Sequence, residues 1–139
     1  MKPKRILFVC LGNSCRSQMA EGFALAYGSD VMEPHSAGLA PAVNIAPLTY
    51  AVMREKNILL TDQYPKSISL IRSSVIDLVV NMSGYPLPDA GWKEVRTWSI
   101  RDPIGKSDKV YREVRDEIET KVMELVLELR DAARRTSIR

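Results

Sequence analysis

Apolar residues along this chain fall into two patterns. The first is the unbroken run. Arg5–Cys10 (RILFVC) is apolar almost throughout and stops at a glycine-containing turn. A strand covered on both faces reads as such a run, without alternation. Ile76–Met82 (IDLVVNM) is a second run of this kind, and Val31–Ser36 and Glu94–Ile100 read as two further strands. The second pattern is spacing by three and four residues. Met19, Ala20, Phe23 and Tyr27 share one face of a helix predicted from Ser17 to Tyr27, with Gly28 where a C-terminal cap belongs. Val110, Val114, Ile118, Val122, Leu125 and Leu129 mark one face of a long helix from Ser107 to about Arg134. Pro47 opens a shorter helix running to about Lys56, since its missing N–H is not needed in a first turn. Pro41–Pro47 and Ser83–Trp92 are loops by composition, and Arg134, Arg135 and Arg139 read as a solvated basic tail. Strands alternating with helices imply an α/β fold whose parallel sheet is wrapped on both faces. On such sheets ligands bind beyond the carboxyl ends of the strands.

Composition narrows the class. The 139 residues suit a single domain over 1–139, with a core that needs no staples. At 45% hydrophobic and 27% charged, the chain is neither disordered nor fibrous. A net charge of +3 with both signs interspersed is too mild for a nucleic-acid scaffold. The two cysteines cannot form a disulfide framework or a four-ligand zinc site, so no metal or organic cofactor is expected. The apolar runs are too short for a membrane span, and the basic N-terminus lacks a cleavage pattern. The expectation is a cytoplasmic protein, monomeric because no exposed apolar stripe is evident.

Chemistry concentrates in the turn after the first run, Cys10-Leu11-Gly12-Asn13-Ser14-Cys15-Arg16-Ser17. It lacks the glycine-lysine pair of a Walker loop. Strand, tight turn and helix in succession aim backbone N–H groups into one concavity at a helix N-terminus, which suits a tetrahedral oxyanion. The same field favours a thiolate at Cys10. The spacing lets Arg16 curl back and grip two oxygens with its fork. Ser17 is placed to donate to the sulfur. Attack on phosphorus also requires an acid for the leaving oxygen. Asp102, fixed by Pro103 after a predicted strand, is the candidate.

These residues resemble the low-molecular-weight protein-tyrosine-phosphatase family. C-x5-R-S follows the first strand and Asp102-Pro103 comes late, so the likeness covers nearly the whole chain. CLGNSCRSQMAEGFA, HSAG and DPIGKSDKVYREVRDEIE are closer still to the arsenate reductases of that fold. The resemblance implies a three-layer sandwich on a small sheet of about four parallel strands. It implies Cys10 as nucleophile and Asp102 as acid. Arg16 and the backbone of Leu11, Gly12, Asn13, Ser14 and Cys15 would bind the oxyanion, with Asn13, Ser17 and Ser36 bracing the loop. In family members a cysteine at the position of Cys15 forms a reversible disulfide with the nucleophile.

The departures set the expected function. Thioredoxin-coupled arsenate reductases carry two further cysteines near the third strand, whereas 81–89 here reads NMSGYPLPD. Ile104 stands where tyrosine phosphatases usually have a tyrosine, Ala42 or Val43 where they have a pocket aromatic, and Gln18 where proline is common. Tyr85 and Trp92 could supply a substitute wall, with loop packing as the plainer reading of both. His35 reads as structural. The leading expectation is a cysteine-dependent phosphatase that hydrolyses a phosphate monoester through a phosphocysteine, on a phosphorylated protein or a small phosphate. The alternatives are arsenate reduction at Cys10 with an external thiol or redoxin, and a non-catalytic oxyanion-binding module.

Overall fold

A computed structural model of the chain describes residues 2–137. In order they form β1 (Lys4–Cys10), α1 (Arg16–Gly28), β2 (Met32–Gly38), α2 (Pro47–Arg54), β3 (Leu78–Asn81), β4 (Val95–Thr97) and α3 (Asp108–Ser137). Two 3-10 turns, Ile68–Leu70 and Ser73–Val75, lie between α2 and β3. The four strands make one parallel sheet in the order β2-β1-β3-β4.

The unbroken apolar run of β1 serves two cores. Ile6 and Phe8 face a large cluster that includes Phe23 of α1, Met53 of α2 and Val114, Ile118 and Val122 of α3. Leu7 and Val9 face a smaller cluster with Val79, Ile68 and Ile76. All three α-helices therefore contribute to one side of the sheet. The other side is covered by the 3-10 turns and by the loop carrying Leu87 and Trp92. Crossover handedness accounts for part of this division. The step from β1 to β2 runs one way across the sheet and the steps to β3 and β4 run the other, so right-handed connections put α1 on one face and the 3-10 turns and the 82–94 loop on the other. α2 departs from this, since it belongs to the connection from β2 to β3 yet packs on the α1 side. The third layer of the sandwich is consequently made of short turns and loop.

Several boundaries differ from the sequence expectation. Gly28 is not a left-handed cap, because α1 runs through it into Ser29 at φ −61. Its glycine is needed for packing. A Cβ there would stand 2.6 Å from Val126 Cγ2 of α3. The fourth strand spans three residues, and beyond it the carbonyl of Ile100 turns to a side chain of the site. α3 continues past Arg134, with Arg134 and Arg135 each paired to Asp131, so these two are helical and do not form a frayed tail. Arg139 lies outside the described residues. No helix among the described residues is long and apolar enough to cross a membrane.

Candidate active site

β1 delivers Cys10 to the carboxyl end of the sheet, beside Gly38 of β2. The turn that follows is stitched to the segment after β2. The carbonyls of Cys10, Leu11, Gly12 and Ser14 accept hydrogen bonds from Leu39, Ala40, Ala42 and Ala46 N–H at 2.8–3.2 Å. A trans peptide points its N–H opposite to its C=O. The amides of Leu11, Gly12, Asn13 and Cys15 therefore turn away from that segment, toward the concave side of the loop. Gly38 permits the close approach, since a Cβ there would meet Leu11 O at 2.8 Å and Asn13 N at 2.9 Å. α1 begins at Arg16 with no side-chain cap and no acidic residue in its first turn. Its positive end is thus left open to an anion.

A cavity of about 250 Å³ opens over this loop. Cys10, Leu11, Gly12, Ser14, Cys15, Arg16 and Asp102 line it, together with Ala40, Ala42 and Ile104. The structure thus brings the expected nucleophile, arginine and acid into one cavity. Arg16 is buried and anchored from behind. Its Nη1 donates to Met82 O at 2.5 Å and to Ile100 O at 3.0 Å. Its Nη2 stands 3.6 Å from Asp102 Oδ2. Its Nε is a buried donor with no partner among the described residues, as expected of a group that awaits an oxyanion. Asp102 is itself half-exposed, and its Oδ1 accepts from Ile104 N–H at 3.1 Å.

Asn13, Ser17 and Ser36 stand behind the cavity, outside its lining. Ser17 Oγ lies 2.9 Å from Cys10 Sγ and accepts from Asn13 Nδ2 at 2.7 Å. With that lone pair taken, the hydroxyl hydrogen remains to be donated to sulfur. Asn13 holds φ +50, a left-handed conformation that asparagine tolerates better than most side chains. Ser36 Oγ donates to Glu21 Oε1 at 2.5 Å.

Cys15 is buried, and burial pushes its thiol from 9.0 to about 12, against the opposing hydrogen bond with Thr49. Such a thiol stays protonated near neutrality. Burial, followed by the charges of Cys15 and Asp102, likewise raises neighbouring Tyr111 from 10.0 to about 12. The aromatics of the 83–92 loop do not reach the cavity. Trp92 donates to Pro88 O at 3.0 Å and packs on the smaller core, and Tyr85 is exposed. The cavity walls are Ala40, Ala42 and Ile104 instead. His35 is half-exposed and pairs with Glu33, away from the site.

Sequence reasoning missed four participants. Met82 and Ile100 act through backbone carbonyls, which any residue type could supply. Gln18 is fully buried, donates to Asn13 O at 2.9 Å and accepts from Gln63 at 2.7 Å. A glutamine on the inner face of a helix was the one available signal of such a tie.

Known proteins share this chain's sequence pattern and fold. The sequence model of the low molecular weight phosphotyrosine protein phosphatases matches residues 5–87. The glutaredoxin arsenate reductase of Synechocystis sp. is 33% identical over 130 residues, 91% of this chain and 98% of that protein. A solved arsenate reductase in the phosphate binding state superposes with a TM-score of 0.84 at 33% identity, over 91% of this chain and 98% of that one. The YwlE arginine phosphatase from Geobacillus stearothermophilus superposes with a TM-score of 0.82 at 28% identity, over 94% and 95%. This chain belongs to the low molecular weight phosphotyrosine protein phosphatase family.

Proposed function

We propose that the protein is a cysteine-dependent phosphatase. The observation that carries this reading is the cavity that Cys10 and Asp102 share with Arg16, whose Nη2 stands 3.6 Å from Asp102 Oδ2. The Cys10 thiolate attacks phosphorus while Arg16 and the loop amides hold the non-bridging oxygens. Asp102 gives its proton to the departing oxygen as the ester bond breaks. Asp102, now a carboxylate, takes a proton from water, and that water cleaves the sulfur–phosphorus bond. Phosphate leaves, and thiolate and acid are restored. Ser17 donates to the sulfur both before attack and as it departs.

Phosphorylated proteins and small phosphate monoesters are the substrate class. Because one structural neighbour is an arginine phosphatase, phosphoarginine belongs among the substrates to test alongside phosphotyrosine. We place the enzyme in the cytoplasm as a monomer.

Arsenate reduction is the second reading, favoured by the arsenate reductases among the relatives. Cys10 would bond to arsenic with loss of water. An external thiol would then attack the Cys10 sulfur, arsenic would leave with the electron pair as arsenite, and a mixed disulfide would remain for a second thiol to reduce. The external thiol is invoked because residues 81–89 hold no cysteine and the buried Cys15 thiol, raised to about 12, is a poor nucleophile near neutrality.

Turnover of p-nitrophenyl phosphate at mildly acid pH, compared with arsenate reduction in the presence of glutathione or glutaredoxin, separates the two. Hydrolysis that disappears in Cys10→Ser supports the phosphatase. Folded, reduced protein that leaves the ester intact yet turns over arsenate moves the second reading to first place.

A further inference from the structure

Lys66 lies outside the cavity, and no step above uses it. Its ammonium donates to the carbonyl oxygens of Ser36 at 3.1 Å and Tyr64 at 3.0 Å. It also sits 4.6 Å from the centroid of the Tyr64 ring. Its backbone N–H donates to Asn13 Oδ1 at 2.9 Å. This last bond decides which way round the Asn13 amide stands. An amide has an acceptor end and a donor end. With Oδ1 held by Lys66, Nδ2 is the end presented to Ser17. Ser17 then accepts, and its hydrogen is free to be donated to a Cys10 thiolate. Turned the other way, Asn13 would offer Ser17 an oxygen and draw that hydrogen off the sulfur.

We propose that Lys66 is a positioning residue for the nucleophile. Its carbonyl accepts from Gly38 N–H at 2.8 Å, and its ammonium, seated on the Ser36 and Tyr64 carbonyls, adds the side-chain hold that sets the backbone where its N–H fixes the Asn13 amide. That orientation sets the direction of the relay from Lys66 through Asn13 and Ser17 to the sulfur of Cys10. A hydroxyl donating to sulfur stabilises the thiolate over the thiol. Gln63 ties the same segment down a second time through Gln18, whose amide holds the Asn13 carbonyl.

The proposal rests on Cys10 being the nucleophile. The other charged or titratable groups facing Cys10 are Arg16, Asp102 and Cys15, and Glu21 is the charge facing Lys66. Substituting Lys66 leaves all of these in place.

The test is the pH profile of Cys10 alkylation by iodoacetamide, read by mass spectrometry in wild type, Lys66→Met and Lys66→Arg. In Lys66→Met the midpoint is expected to rise by about one pH unit, the scale of a lost hydrogen bond to the charged form. Below that midpoint kcat for p-nitrophenyl phosphate should fall about tenfold, following the thiolate fraction. Lys66→Arg should restore most of both. A wild-type profile in Lys66→Met overturns the proposal, even if thermal stability drops, since a merely structural lysine would lower stability alone. Should Lys66→Met fail to fold, Lys66→Leu, which likewise removes the donor to both carbonyls, is read in the same way. A wild-type protein whose Cys10 alkylates at low pH but hydrolyses no monoester would sink the phosphatase reading and leave this proposal standing.

Discussion

The guanidinium of Arg16 stands 3.6 Å from the carboxylate of Asp102, across the mouth of the cavity that both share with Cys10. Arg16 is tied by two carbonyls to the segments that follow β3 and β4, whereas Asp102 is half-exposed on a short turn. Cation and acid are therefore held differently. The cation is rigid, and the acid has room to meet a leaving group.

That difference predicts how Asp102→Asn behaves. Asparagine keeps the Ile104 contact and cannot give up a proton. Loss of a general acid costs roughly a hundredfold or more. The loss should be largest for alkyl phosphates and smaller for p-nitrophenyl phosphate, whose leaving group needs little protonation. A plot of kcat/KM against leaving-group acidity, steeper in the variant, checks this, because kcat/KM reports the step in which the leaving group departs. Parallel plots would remove Asp102 from the acid's role.

Burial of Cys15 predicts selective chemistry at the two thiols. With its thiol raised to about 12, Cys15 should resist iodoacetamide near neutral pH while Cys10 reacts. Peptide mapping of the labelled protein reads this directly. Stability carries the same sign. In the unfolded chain this thiol ionises near 9.0, and in the folded protein only near 12. Between those values the folded state binds more protons, so stability is full below about 9 and falls as pH rises toward about 12. Tyr111, raised from 10.0 to about 12, adds to the decline. Thermal midpoints from pH 8 upward should fall less steeply in Cys15→Ala.

Two glycines predict opposite phenotypes. Gly28→Ala presses a methyl onto Val126 at 2.6 Å, far from the cavity, and should cost about 1–3 kcal/mol of stability with normal kinetics. Gly38→Ala pushes on backbone atoms of Leu11 and Asn13. Displacing an oxyanion donor costs about a hundredfold in kcat, so this variant should lose turnover and phosphate affinity together. Chemical denaturation and steady-state kinetics on the pair test both halves.

Much of this arrangement was readable before any coordinates. The apolar run ending at Cys10 marked the central strand, and the spacing of Arg16 and the Asp102-Pro103 pair marked the cavity. Periodicity from Val110 to Leu129 marked α3, because one face of that helix packs on α1, α2 and the larger core. What was hidden lies where residue type leaves no trace. The carbonyls that anchor Arg16 belong to Met82 and Ile100, and neither side chain announces them. The far layer is built from 3-10 turns too short to show a period. Gly28 looked like a cap because glycine serves both left-handed turns and tight helix contacts, and only the position of Val126 tells them apart.

The central claim is that Cys10 bonds to phosphorus. Mixing the reduced protein with p-nitrophenyl phosphate, quenching in acid within the first turnover and mapping peptides by mass spectrometry tests it most directly. The account predicts one phosphoryl group on the peptide holding Cys10, absent in Cys10→Ser, and longer-lived in Asp102→Asn because that variant cannot activate the hydrolytic water. Turnover that persists in Cys10→Ser, or a phosphoryl group on any other residue, would contradict it.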